Sequence, residues 1–145
     1  MSPNRVLVVD DHAALRRTIC LLLSKEPSLE VICETASGED AIEKAEELQP
    51  DIVLLDISLP GISGIEAASR ILSVSPNSRI IFLSQHSSLH VVQEALKVGG
   101  HGYLAKSDAG LELLEAIRIV LDGGCFVSKL IRKQGWPQGE RGGRS

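Results

Sequence analysis

The sequence predicts a doubly wound α/β domain, and three observations carry that prediction. Short β-branched runs alternate with longer amphipathic stretches along most of the chain. The strongest runs, Val6–Val9, Ile52–Leu55 and Ile80–Leu83, are continuously apolar, as strands covered on both faces of a parallel sheet must be. Breakers separate the units at short intervals, which suits right-handed crossovers with helices on both faces.

The first strand covers Val6–Val9 and stops at acid. Leu15, Ile19 and Leu22 recur at helical spacing, Leu23 widens the stripe, and Pro27 ends the helix. A second strand is expected at Val31–Cys33. Ala41, Ala45 and Leu48 form the apolar stripe of the next helix, beside the charged set from Glu39 to Glu47, and Gln49-Pro50 closes it. The strand Ile52–Leu55 leads to a helix on Ile65, Ala68 and Leu72, closed by Pro76-Asn77. Ile80–Leu83 leads to a helix on Leu89, Val92 and Leu96, closed by Gly99-Gly100. A weaker strand at Gly102–Leu104 precedes the last stripe, Leu111, Leu114, Ile117 and Leu121, which Gly123-Gly124 ends.

Length and charge agree with one domain and an appendage. The chain has 145 residues and 43% hydrophobic content, enough for a core and too much for disorder along its whole length. The domain is expected over residues 4–128, with 129–145 a basic, Gly-rich tail or linker remnant, read as mobile. The net charge of -4 divides into an acidic body and a basic tail, the reverse of a folded part built to live on nucleic acid. SKLIRK from Ser128 has the makings of a helical turn or two. The segment beyond offers only Trp136 to bury, so it cannot offset its ordering entropy. Lys129, Arg132, Lys133, Arg141 and Arg144 lack interleaved aromatics and read as linker solvation. Cys20, Cys33 and Cys125 show no CxxC pairing; Cys20 and Cys33 read as buried, reduced thiols. No apolar run approaches the roughly 18–20 residues of a membrane span, and no signal sequence opens the chain, so a soluble cytoplasmic protein is expected.

The chemistry sits at the strand ends. Open parallel sheets bind ligands outside the carboxyl ends of their strands, where strand order reverses. Asp10 and Asp11 end the first strand, Asp56 the third and Ser84 the fourth, while Lys106 follows the fifth. Taken singly, Asp10 or Asp11 would read as a helix cap, Ser84 as a loop serine and Lys106 as a surface lysine. Their joint occurrence at strand ends of one fold argues for a site. Carboxylates gathered at roughly 4 Å repel by about 4 kcal/mol per pair at an effective dielectric near 20, so a cation or a proton must resolve the conflict. Oxygen donors without Cys or paired His point to Mg2+, completed by phosphate oxygens. A lysine and a hydroxyl beside it suit phosphoryl transfer to a carboxylate.

Taken together, Asp10-Asp11-His12 after a Val-rich strand, Asp56 after IVLL, Pro60-Gly61-x-x-Gly64, Ser84 after IIFL and Gly102-Tyr103-Leu104-x-Lys106 resemble the receiver (CheY-like) domain of two-component response regulators. Asp-Asp-His, GYLAKSD and GGCFVS suggest the NarL/FixJ type. The resemblance covers residues 4–128. It implies a (βα)5 flavodoxin-like three-layer sandwich with a central five-stranded parallel sheet, order 2-1-3-4-5. It implies that Asp56 is the phospho-acceptor, and that Asp11, Asp56 and the Ser58 backbone carbonyl hold Mg2+, with Asp10 acting through water. Lys106 would pair with the phosphoryl group, Ser84 would hydrogen-bond it, and Tyr103 would be the aromatic whose rotamer follows Ser84. Pro60 and Gly61 shape the turn beside Asp56. Ser58 and His86 border the site and would tune phosphoryl lifetime.

The implied partner is a sensor histidine kinase. The implied switch alters the face of helix 4, strand 5 and helix 5, controlling dimerisation or an output module. DNA would be reached only through an output domain, for which the about 17 residues after Ser128 are too few. Ser107 replaces the frequent proline after the lysine, which removes the expectation of a cis bond there; Ser107 or Asp108 can cap the last helix instead. His12 is expected to border the site without binding metal, and His101 to lie at the surface. Competing readings are weaker. A haloacid-dehalogenase-like Mg2+-dependent phosphatase would want Asp-x-Asp after the first strand, and a flavodoxin-like binding module would want a Ser/Thr-rich phosphate loop there. A stand-alone regulator acting by protein contact, or a degenerate receiver, would share this fold.

Overall fold

The computed structural model describes residues 2–85 and 88–133. In chain order the elements are β1 (Asn4–Val9), α1 (Ala13–Ser24), β2 (Leu29–Thr35), α2 (Gly38–Leu48), β3 (Ile52–Asp56) and α3 (Gly64–Val74). They continue with β4 (Arg79–Ser84), α4 (Leu89–Lys97), β5 (Gly102–Ala105), a 3-10 turn at Lys106–Asp108, α5 (Ala109–Leu121), β6 (Phe126–Val127) and α6 (Lys129–Arg132). The strands form one parallel sheet in the order β2-β1-β3-β4-β5-β6. Strand order reverses between β1 and β3, so Asp10 and Asp56 end the two strands that flank the reversal.

Burial on both faces explains the unbroken apolar runs. On one face Leu7, Val9, Val53, Leu55, Ile80 and Phe82 meet α2, α3 and α4 through Ala41, Ala45, Ala67, Ile71 and Val92. On the other, Val6, Val8, Ile52, Leu54 and Ile81 meet α1 and α5 through Ile19, Leu23, Leu113 and Ile117. At about 1.5–3 kcal/mol for each large apolar side chain removed from water, these two layers dominate the favourable side of folding. The helices facing the first layer present alanines, which lets them lie close to the sheet.

Two expectations about the chain's end need correction. The sheet has six strands rather than five, because Phe126 and Val127 pair with Gly102 and Tyr103 along the outer edge of β5. A two-residue strand shows no periodicity, and only the β5 backbone groups reveal it: Phe126 N donates to His101 O at 3.1 Å and Ser128 N to Tyr103 O at 2.9 Å. The domain also runs past residue 128. SKLIRK forms the helical turn its pattern suggested, and Ile131 is fully buried against the α2–α4 layer, so residues 129–132 belong to the fold. The remainder of the tail, with Trp136, Arg141 and Arg144, lies outside the described residues.

Three smaller readings also change. Asp108 makes no cap to α5; its Oδ2 accepts from Leu130 N at 3.3 Å, and the 3-10 turn starts the helix instead. His101 is half-buried rather than superficial: its Nδ1 accepts from Ile80 N at 3.2 Å. Burial and then the nearby Arg79 charge lower its pKa, which keeps the ring neutral and able to accept. Cys20 and Cys33 are partly exposed, because they lie at the margin of their layers, and Cys125 is exposed. Burial and Glu34 raise the Cys20 thiol to about 11, so it is not nucleophilic at neutral pH.

The loop between β3 and α3 depends on two glycines. Gly61 has φ +78, a left-handed conformation that disfavours side chains. Gly64 opens α3 against the end of β3, where an added Cβ would stand 2.4 Å from Asp56 O and 2.6 Å from Ile57 Cα. Both neighbours are backbone and cannot yield without moving β3. Gly64→Ala is therefore expected to destabilise the domain by about 2–4 kcal/mol in urea denaturation. A loss below about 0.5 kcal/mol would show that the β3–α3 junction has room to spare.

Candidate functional site

Three buried ionic side chains meet at the strand-order reversal. Asp10 is 0% and Asp56 1% exposed, and the Lys106 side chain is 9% exposed. Lys106 extends from the end of β5 so that its Nζ lies 3.1 Å from Asp10 Oδ2 and 3.3 Å from Asp56 Oδ2. One ammonium thus serves two buried carboxylates. The other oxygen of each carboxylate is held by the following loop: Asp10 Oδ1 accepts from His12 N at 2.8 Å, and Asp56 Oδ1 accepts from Ser58 N at 2.9 Å. The aspartates therefore turn into their own loops and do not cap α1, whose N-cap position is His12.

Asp11 completes the acidic group from its outer side, with a side chain one-third exposed. His12 Nδ1 lies 3.2 Å from Asp10 Oδ1 and 3.4 Å from Asp11 Oδ1, bordering the site as its position suggested. Asp10, Asp11, His12 and Asp56 each offer a donor atom, and all four lie within 4.8 Å of one another. Asp10 Oδ2 and Asp56 Oδ2 are buried and, although they face Lys106, lie outside hydrogen-bonding geometry. Three carboxylates against one lysine leave negative charge unbalanced. A hard divalent cation fits that deficit and that donor set.

Ser84, which ends β4, and Tyr103, within the neighbouring β5, are also buried. The Tyr103 ring points into the α2–α4 layer, 6.3 Å from the Phe82 ring, and the Ser84 side chain acts on its hydroxyl. Burial raises the phenol pKa, with Ser84 opposing, so Tyr103 is neutral. Ser58, Pro60 and Gly61 line the exposed rim of the Asp56 loop. The Ser63 hydroxyl caps α3 behind it, accepting from Glu66 N at 3.1 Å. His86 lies outside the described residues.

Two contributors escaped sequence reasoning. Arg16, on the first turns of α1, donates through Nη1 to the backbone carbonyl of Asp10 and through Nε to Glu34 Oε1 at 3.1 Å, tying the acidic loop to β2. Nothing but its position one turn past His12 signalled it. Ser128, fully buried, accepts at Oγ from Ala105 N at 3.2 Å, next to Lys106. It lay in a segment read as the end of the domain.

Comparison with known proteins identifies what carries such a site. The family model described as "Response regulator receiver domain" matches residues 6–118. The chain is 36% identical over 130 residues to response regulator GacA of Pseudomonas viridiflava, covering 90% of this chain and 61% of that protein. It is 36% identical over 129 residues to the nitrate/nitrite response regulator protein NarL of Escherichia coli K12, covering 89% of this chain and 60% of that one. Among solved structures, a two-component response regulator of the LuxR family from Aurantimonas sp. SI85-9A1 superposes with a TM-score of 0.87. That pair is 33% identical, covering 91% of this chain and 94% of the other. The chain spans about 60% of the length of the two relatives named, GacA and NarL.

Burial at this site has a pH signature. Desolvation raises the Asp56 pKa; the Ser58 N–H and Lys106 oppose it, and Asp10 adds to it. A carboxyl whose native pKa exceeds its unfolded value disfavours folding at pH above the native pKa, and that penalty fades as pH falls toward the unfolded value. Asp56→Asn keeps the shape and removes the charge. In metal-free protein it should raise unfolding free energy by about 1–3 kcal/mol at neutral pH, with the gain shrinking to nothing near pH 4. Urea denaturation in EDTA across that range measures it, and a destabilised variant at neutral pH would refute the burial argument.

Proposed function

Since the chain belongs to the response regulator receiver domain family, we propose that it accepts a phosphoryl group on Asp56 from a sensor histidine kinase and acts as a phosphorylation-controlled switch. The single observation that carries this reading is Lys106, whose Nζ faces both Asp56 and Asp10 at 3.3 and 3.1 Å where strand order reverses. A lysine sealed against the acceptor carboxylate is positioned for charge that arrives on that carboxylate.

Asp56 is the nucleophile. One of its carboxylate oxygens forms the new O–P bond as the P–N bond of the donor phosphohistidine breaks; the electron pair stays on that nitrogen, and the proton already on the other ring nitrogen makes the leaving group a neutral imidazole. Asp11, Asp56 and the Ser58 carbonyl would hold Mg2+, with Asp10 acting through water, and the ion would offset charge on the phosphoryl oxygens. Lys106 exchanges its carboxylate partners for a phosphoryl oxygen. The Ser84 hydroxyl donates to another phosphoryl oxygen. With Ser84 drawn to the phosphoryl group, Tyr103 is favoured inside the α2–α4 layer, the position it has here, over an outward rotamer. Ser58, at the exposed rim, would border the approach of the water that removes the phosphoryl group, and His86, two residues past Ser84 in sequence, is proposed to act with it.

The protein is a switch and not a turnover enzyme: it promotes only its own phosphoryl transfer and loss. It is cytoplasmic in this reading, where its kinase presents phosphohistidine. No helix among the described residues is long and apolar enough to cross a membrane. The altered face comprises α4, β5 and α5, and it governs dimerisation or contact with an output module. A near-complete shift between two conformations requires the phosphoryl group to favour one by about 5.5 kcal/mol. The relatives that extend beyond the matched region include "Transcriptional regulatory protein DegU" of Brevibacillus brevis and the nitrate/nitrite regulator, so transcription through a DNA-binding output domain is the proposed output.

Acetyl phosphate tests the assignment. With Mg2+ the protein should gain one phosphoryl group by intact-mass measurement, and EDTA should prevent it. Asp56→Asn should remove the labelling, and Lys106→Ala should slow it by about 100-fold, as loss of a positioned cation at a developing charge does. Full labelling of Asp56→Asn would overturn the reading.

A further inference from the structure

The end of β5 is gripped from its outer side by the residue that follows β6. Ser128 N donates to Tyr103 O at 2.9 Å, and Ser128 Oγ accepts from Ala105 N at 3.2 Å. One buried serine therefore brackets Leu104 by bonding Tyr103 and Ala105, just before Lys106. The same serine starts α6: its carbonyl accepts from Ile131 N and Arg132 N, both at 3.0 Å. Ile131, fully buried, packs in the layer that contains Tyr103 and Val127. Carboxylates near the start of α5 hold the exposed backbone of the turn, Glu112 accepting from Lys129 N and Asp108 from Leu130 N, each at 3.3 Å.

These contacts join the two moving parts of the switch to α6. Displacing the end of β5 with Lys106 breaks the Ser128 bonds, and turning Tyr103 outward opens the packing under Ile131. α6 therefore docks best on the arrangement seen here, with Tyr103 inward. From this we infer that Ser128 couples the phosphoryl site to the chain beyond residue 133: α6 docking and phosphorylation favour the same state and strengthen each other. The inference rests on the phosphoryl-acceptor reading above and adds the route by which that site reaches whatever follows. Linkage makes the effect reciprocal, so the phosphoryl group tightens α6 by the factor by which α6 tightens phosphoryl binding.

Hydrogen exchange on the whole chain, with and without BeF3− plus Mg2+, tests it. The amides of Ser128, Ile131 and Arg132 are expected to gain protection of about fivefold when BeF3− binds, within the usual range of allosteric coupling, and Asp56→Asn should show no response. Ser128→Ala should weaken BeF3− binding by about fivefold, the share of one hydrogen bond in a coupled equilibrium, and diminish the protection gained at Ile131 by the same factor. Unchanged or reduced protection in the wild-type protein overturns the inference, as does a Ser128→Ala variant that binds BeF3− with wild-type affinity. If that variant fails to fold by circular dichroism, the wild-type exchange decides alone. Failure of the wild-type protein to bind BeF3− at all would instead overturn the phosphoryl-acceptor reading, and the coupling with it.

Discussion

The structure depends on one ammonium placed between two buried carboxylates. Lys106 makes the burial of Asp10 and Asp56 tolerable, because a carboxylate taken out of water without a counter-charge is too costly to keep ionised. It can do so only because a parallel sheet brings the carboxyl ends of β1, β3 and β5 to one rim, and because order reversal opens a crevice there. The balance is deliberately incomplete. With Asp11 included, the site holds more negative charge than Lys106 offsets, and the α1 N-terminus that follows His12 contributes only a partial positive charge. A fold optimised for stability alone would have filled this crevice with apolar side chains. Keeping it acidic makes its occupancy by cation or phosphoryl group energetically consequential.

The two apolar layers differ in what they support. The layer beneath α1 and α5 is aliphatic apart from Phe126, and it contains no switch residue. The layer beneath α2, α3 and α4 contains Tyr103, beside Ser84 in the proposed switch, and Ile131 of α6. In the switch proposed above, a change at Ser84 would therefore be felt in the second layer first.

Much of this was legible in the sequence, for reasons of scale. Val6–Val9, Ile52–Leu55 and Ile80–Leu83 are each long enough to show two-sided burial, and each stops abruptly at a polar residue, so the strand ends and the site residues at them were readable together. Asp10, Asp11, Asp56 and Lys106 lie together where the strand ends placed them, and Ser84 ends β4 in register with Ala105. What escaped was decided by tertiary context. Phe126-Val127 is too short to carry a period, and it becomes a strand only because β5 offers an unpaired edge. Ser128 and Arg16 act through single bonds to backbone atoms remote in sequence, which no local pattern encodes. Asp108 could have capped α5, but α6 arrives beside it and takes its carboxylate. His101 sits among glycines and looked exposed, yet the Ile80 amide needed an acceptor there.

The sixth strand has a consequence for how copies of this domain can meet. A bare β5 would present a ladder of unsatisfied backbone groups, an invitation to strand addition and aggregation. Phe126 and Val127 occupy that ladder, and α6 closes over its end. At the opposite margin, β2 carries the exposed Glu30, a charge that repels a second copy laid alongside, while Glu34 is held by Arg16. Both margins of the sheet are thus sealed against runaway polymerisation, one by covering and one by repulsion. Assembly is left to the helical faces, where contacts are side-chain encoded and can be reversed.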